Sequence, residues 1–335
     1  MDHLSEQVRA ALVTAADAAL PATDRAEMLM EIAVIFQQHG QHHRPSSAHL
    51  GSAIALYDHA LALCPSSERI LWARITARRA TALQAIPGDD AAYLDAAHDA
   101  YQQVIPVLAE LGTPEEVAEA EMNRGLVLQA LAGLSRARIT DAISAYHRAL
   151  RTFDRVRFPR EFAIIQNNLA TAFLAIPFTD DRTKMREALA VQAFEEGLKI
   201  VSLVEYPVEY AMLQNNLGNA LQYASSGHIV ENNLRALEAY DEALKVRTRE
   251  TMPLEYANTI ANKANCLWNL PDDPARPEAG GARNMTRARA YYQEARELFT
   301  AHGERDKAHT AARACDQIDR ELVGGADPGA GAELS

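Results

Sequence analysis

The chain has 335 residues, with 33 Lys or Arg against 45 Asp or Glu and a formal net charge of −12, which argues against a nucleic-acid backbone or an anionic membrane surface as the main partner. Its three cysteines, Cys64, Cys266 and Cys315, are far apart and in no C-x-x-C pair, so neither a disulfide framework nor a zinc knuckle is indicated. Asp2, Glu6, Arg9 and Asp17 stand where a secretory signal needs an uncharged core, and no apolar run of about 18 residues follows; a soluble, cytoplasmic chain is expected.

Residues 4–19 place apolar side chains at helical spacing and stop before Pro21, which predicts a lone capping helix within residues 1–20. A period then begins. Pro21, Pro65, Pro114, Pro159, Pro207 and Pro253 are separated by 44, 49, 45, 48 and 46 residues, and each precedes a helical segment. A proline at the first helical position loses no hydrogen bond and presets a helical φ. The predicted repeats span 21–64, 65–113, 114–158, 159–206, 207–252 and 253–304. Residues 206–221, YPVEYAMLQNNLGNAL, show the unit most clearly. Tyr210, Leu213, Leu217 and Leu221 fall on one helical face with Ala211 and Gly218 along its edge, while Asn215, Asn216 and Asn219 are expected away from that seam. Glycine costs about 1 kcal/mol against alanine inside a helix, so Gly218 implies the close approach of a neighbour.

The first helix of every repeat has a small residue eleven or twelve positions after its proline: Ala33, Ala77, Gly125, Ala170, Gly218 and Ala264. The second carries Ala-x-x-x-aromatic-x-x-small, as in Ala53/Tyr57/Ala60, Ala142/Tyr146/Ala149 and Ala190/Phe194/Gly197, with Tyr101, Tyr240 and Tyr292 as the aromatics of the other three and Val104 as the one misfit. An aromatic flanked by small residues at i−4 and i+3 is a large side chain seated between close backbones. This pattern resembles the tetratricopeptide repeat over residues 20–322. These units are longer than the usual length of about 34 residues; the surplus is expected in longer helices and in loops such as 38–51 and 269–284. The paired asparagines of QNNLA and QNNLG resemble the long repeats of kinesin light chains and of bacterial signalling proteins built on the same unit. HEAT and armadillo arrays share a period of about 40–47 residues but are filled mainly by large aliphatics. Residues 305–322 predict a charged capping helix, as a solenoid end needs, and 323–335 a disordered tail.

Catalytic motifs are missing: there is no Gly-rich phosphate loop, G-x-S-x-G elbow, H-E-x-x-H or C-x-x-C. No cofactor or metal is expected. His39, His42, His43 and His49 lack an acidic or cysteine partner at fixed spacing and read as a solvated loop, and Cys266 reads as a small buried hydrophobe. The asparagines say more. Asn123, Asn168, Asn216 and Asn262 recur two positions before the small residue, with Asn219 and Asn265 one turn later. The resemblance implies that this slot faces the concave groove and holds the main chain of an extended peptide through paired amide hydrogen bonds; the alternative is that the asparagines brace neighbouring helices. In the first two repeats the same region carries Glu27 and Glu31, then Arg74 and Arg78, each pair four apart. The arginines can hold a ligand carboxylate or phosphate, or pair with the two glutamates across adjacent helices.

The expectation is therefore an all-α, right-handed superhelical solenoid of six helix pairs with a capping helix at each end. It acts as a non-enzymatic protein- or peptide-binding scaffold whose groove uses Asn123, Asn168, Asn216, Asn219, Asn262, Asn265, Arg74 and Arg78. A ligand-responsive sensor and a self-assembling, homo-oligomeric scaffold are the alternatives.

Overall fold

The computed structural model describes residues 2–42, 47–87, 91–177, 182–225, 228–276, 278 and 280–324, and these hold fourteen α-helices and no strand. Helix α1 is Asp2–Ala15. Six pairs follow: α2 Ala22–His42 with α3 Ser47–Leu63, α4 Arg69–Gln84 with α5 Ala91–Leu111, α6 Pro114–Gly133 with α7 Ile139–Ala149, α8 Pro159–Leu174 with α9 Arg182–Leu198, α10 Pro207–Gln222 with α11 Ile229–Leu244, and α12 Pro253–Trp268 with α13 Ala282–Ala301. Helix α14, Arg305–Gly324, closes the series. No helix among the described residues is long and apolar enough to cross a membrane.

The chain forms two compact units, Met1–Arg157 and Phe158–Ser335, divided where the period places the end of the third repeat. In the first unit α1 lies on α2 and α3, each first helix packs on its own second helix, and α3 and α5 pack in turn on the first helices that follow them. The second unit repeats this from α8 to α13, with α14 laid on α13. First helices also touch first helices, α2 with α4 and α4 with α6 in one unit, α8 with α10 and α10 with α12 in the other. Each unit thus has an inner row of first helices, packed on several sides, and this leaves only a narrow stripe of each one in contact with solvent.

Prolines 114, 159, 207 and 253 are each the first residue of a helix, and Thr113 adds a capping box, its hydroxyl accepting from the Glu116 N–H at 3.3 Å while the Glu116 carboxylate accepts from the Thr113 N–H at 2.9 Å. Pro65 departs from the expectation: a turn in which the Glu68 N–H donates to the Pro65 carbonyl at 2.9 Å separates it from α4. Much of the expected 38–51 loop is helix, since α2 runs to His42 and α3 starts at Ser47; the longer repeat unit there is spent on helix length. Helix α14 continues two residues past 322, and the rest of the expected tail, 325–335, lies outside the described residues.

The seat of the aromatic is the structural core of the repeat. Tyr57, Tyr101, Tyr146, Phe194 and Tyr240 are fully buried and Tyr292 nearly so; Val104 is buried as well, so the slot tolerates a branched side chain. A Cβ added at Gly218 would stand 2.6 Å from Cε1 of Tyr240, and one at Gly125 would likewise overlap the ring of Tyr146. The ring occupies the place of the missing side chain. A buried hydroxyl needs a partner, and the first helix supplies it four residues after the small one. Tyr57 donates to Gln37 at 3.0 Å, Tyr101 shares a hydrogen bond with Thr81 at 2.8 Å, Tyr146 donates to Gln129 at 3.0 Å and Tyr240 donates to Gln222 at 2.8 Å. In the fourth repeat the aromatic is Phe194, which has no hydroxyl, and the corresponding residue is Leu174, packed on the same apolar cluster. In the sixth it is Trp268, whose ring meets Tyr292 edge-on at 6.4 Å between centroids.

Candidate functional site

In the second unit the inner faces of the first helices carry Ile164, Asn168 and Thr171 on α8 with Ala175 just past its end, Met212, Asn216 and Asn219 on α10 with Tyr223 just past its end, and Asn258, Asn262 and Asn265 on α12 with Asn269 just past its end, and all but the buried Asn168 reach solvent. None of these twelve is an acid or a base; the charged groups stand in the first turns of the same helices, where Arg160 of α8 donates to Glu209 of α10 at 2.6 Å and Glu255 of α12 is exposed. Three asparagines of α12 and its C-cap Asn269 follow the spacing i, i+4, i+7, i+11, which keeps them on one face of a 3.6-residue helix. Asn258 and Asn269 extend the asparagines singled out from the sequence, and that spacing alone is enough to find them.

The asparagines form a continuous row across the three helices. The Asn262 amide N–H donates to Asn215 Oδ1 at 3.3 Å, Asn215 to Asn216 Oδ1 at 3.0 Å, Asn216 to Asn167 Oδ1 at 2.7 Å, and Asn167 to Asn168 Oδ1 at 3.2 Å. Asn167, Asn168 and Asn215 are buried and Asn216 and Asn262 half-buried. The expectation that Asn215, Asn216 and Asn219 lie away from the packing seam is corrected here: the first two bridge first helices, and Asn219 Oδ1 lies 2.8 Å from the Tyr240 hydroxyl, whose single proton it shares with Gln222. Asn265 donates to the Tyr223 hydroxyl at 2.7 Å, and Asn269 to the Asn265 carbonyl at 2.8 Å. An amide has two N–H donors and two acceptor lone pairs. Each interior member of the row uses one of each within it, leaving a further N–H and lone pair.

In the first unit the inner face is charged. Arg74 meets Glu116 across α4 and α6, Nε to Oε1 at 2.6 Å and Nη2 to Oε2 at 3.4 Å. Its hydrogen-bonded partner is therefore on the following first helix, while Glu27 on the preceding one acts only through its charge. Burial opposes the charged form of Glu116, but hydrogen bonds from Arg74 and from the Thr113 N–H outweigh it and hold the carboxyl below its ordinary pKa. Arg78, one turn after Arg74, is exposed and makes no ion pair or hydrogen bond among the described residues. These side chains border a cavity of about 90 Å³ between α4, α5 and α6, with Glu119 and Asn123 on its α6 wall. Asn123 thus stands apart from the amide row and belongs to this charged cavity.

Cys266 is buried, its thiol donating to the Asn233 carbonyl at 3.2 Å, and burial pushes its pKa up to about 12. No cysteine pairs with another, and no group of His, Cys, Asp and Glu among the described residues could hold a metal ion. The side chains of His39, His42 and His43 lie outside the described residues.

No protein-family model matches the chain, and no curated protein does. Among solved structures the chain is similar to BtubC (BKLC) from P. vanneervenii, at 20% sequence identity over 73% of this chain and 89% of that one, with a TM-score of 0.48.

Proposed function

We propose that the chain is a non-enzymatic, cytoplasmic scaffold that binds an extended peptide along the inner helices of its second unit, through Asn168, Asn216, Asn219, Asn262 and Asn265 with Asn258 and Asn269. The observation that carries this reading is the row of amides on α10 and α12, whose members keep unused donors and acceptors after bracing one another. A peptide unit also offers one donor and one acceptor, so a main chain laid across these amides is matched group for group, with no charge to desolvate. Each such bond contributes about 0.5–1.5 kcal/mol net, and affinity needs several in register.

The test uses peptides selected on the purified chain from an unstructured random library. Asn258 has no hydrogen bond among the described residues, and Asn262 stands at the end of the row, so removing both leaves the bracing of α8 and α10 intact. The double variant Asn258→Ala, Asn262→Ala is expected to bind the selected peptides about thirtyfold more weakly, which is about 2 kcal/mol, with its melting temperature little changed. Equal binding by the double variant overturns the reading.

A further inference from the structure

We propose that the cavity of the first unit is a site for the head group of a free α-amino acid, a ligand with an ammonium and a carboxylate on one carbon. The proposal is independent of peptide binding by the second unit and shares no residue with it.

The walls of the cavity carry unlike charges. Helix α4 contributes Arg74 and Arg78, and α6 contributes Glu116 and Glu119. Arg74 and Glu116 neutralise each other, held by the two hydrogen bonds between them and by the role of Glu116 in capping α6. Arg78 and Glu119 are different. Both are exposed, both border the cavity, and neither has an ion pair or hydrogen bond among the described residues. They do not collapse onto each other: no N···O distance between them falls within ion-pair range, and the cavity lies between the helices that bear them. An exposed ion pair contributes about 0–1 kcal/mol, which leaves little drive to close that gap without a ligand.

The four charges sum to zero. A simple anion would satisfy the arginine and leave the glutamate worse placed, and a simple cation would do the reverse; a zwitterion satisfies both. A guanidinium receives a carboxylate through two parallel N–H bonds, which fits Arg78. Glu119 receives an ammonium, and the half-buried Asn123 amide, which has no partner among the described residues, can accept from the ammonium or donate to the carboxylate. The floor is fixed by the Tyr101–Thr81 hydroxyl pair at 2.8 Å, whose tyrosine burial keeps neutral. The cavity is small, about 90 Å³, the scale of a head group rather than of a whole peptide.

The full chain is titrated, by calorimetry and thermal shift, with free α-amino acids, with the same compounds N-acetylated, with their amides, and with acetate and inorganic phosphate. At least one free amino acid is expected to bind, and blocking either of its ends to weaken binding by about tenfold or more. Arg78→Met and Glu119→Gln, on two different helices, are each expected to lower that affinity about tenfold or more while leaving the helical circular dichroism unchanged. Asn262→Ala, in the other unit, is expected to leave it as it was. The proposal is overturned if no free amino acid binds, if a blocked form binds as well as the free one, or if acetate or phosphate binds as tightly.

Discussion

At the scale of single residues the repeat turns on the fit of one ring to one missing side chain. The Tyr240 ring lies where the Cβ of any residue larger than glycine at 218 would stand. Gly218→Leu is therefore expected to destabilise the second unit by about 1–3 kcal/mol through overpacking, read as a lower midpoint in urea followed by circular dichroism; an unchanged midpoint would mean that the ring moves aside freely. That glycine was legible from its place in the period. The roles of its neighbours were not. Helical spacing gives the angle of Asn215, Asn216 and Asn219 about their own helix but not the distance to the next first helix, and it is that closeness which turns outward amides into a bridge. Arg74 shows the same limit: its partner Glu116 lies 42 positions along the chain, in a repeat whose register only folding sets.

At the scale of the helix pair, aromatic and partner are chosen together. The four buried tyrosine hydroxyls that are satisfied face Gln37, Thr81, Gln129 and Gln222, and the one phenylalanine faces Leu174. Phe194→Tyr should bury a hydroxyl against leucine and lower stability by about 1–3 kcal/mol, and adding Leu174→Gln should recover most of the loss. A double variant no better than the single would show that the pairing does not follow this rule. The signal was present in the sequence, four residues after each small one, but it appears only when the two helices of a repeat are compared slot by slot. The existence of the second helices was legible because one eight-residue pattern recurs six times, though the start of α3 at Ser47 was not. The start of α4 was not, since Pro65 opens a turn and the helix waits four residues.

At the scale of the whole molecule, the titratable groups bound stability on both sides. Hydrogen bonds from arginines or lysines hold Glu110, Glu242, Asp273 and Asp319 below their ordinary values, backbone N–H groups at the start of α13 do the same for Asp272, and Arg157 with the backbone pulls Asp154 down to about 2. A folded pKa below the unfolded one means stability present above about 4 and lost as pH falls through the lower folded values. Burial raises Tyr57, Tyr101, Tyr146, Tyr240 and Tyr292 instead. Their contribution is complete below the unfolded value of about 10 and is lost as pH climbs beyond it. Burial lowers His98 and raises Cys266 and Cys315, so the flat part of the melting-temperature profile is expected between about pH 7 and 8, with a fall on either side, more steeply on the alkaline side, where the tyrosines and Cys266 are buried. A melting temperature still flat at about pH 11 would show that the tyrosines ionise without cost.

The amides between Asn262 and Asn168 also obey a rule that none of them sets alone. Turning Asn216 over would face N–H against N–H on one side and oxygen against oxygen on the other, so a single reversal breaks two bonds and the whole line must flip together. The line has just two senses. In the one present, Asn168 on α8 ends the line with neither amide N–H used within it, and Asn262 on α12 ends it with its carbonyl oxygen unused within it. A group that docks at one end and demands the opposite sense reverses every dipole between, and the far end then offers a donor where it had offered an acceptor.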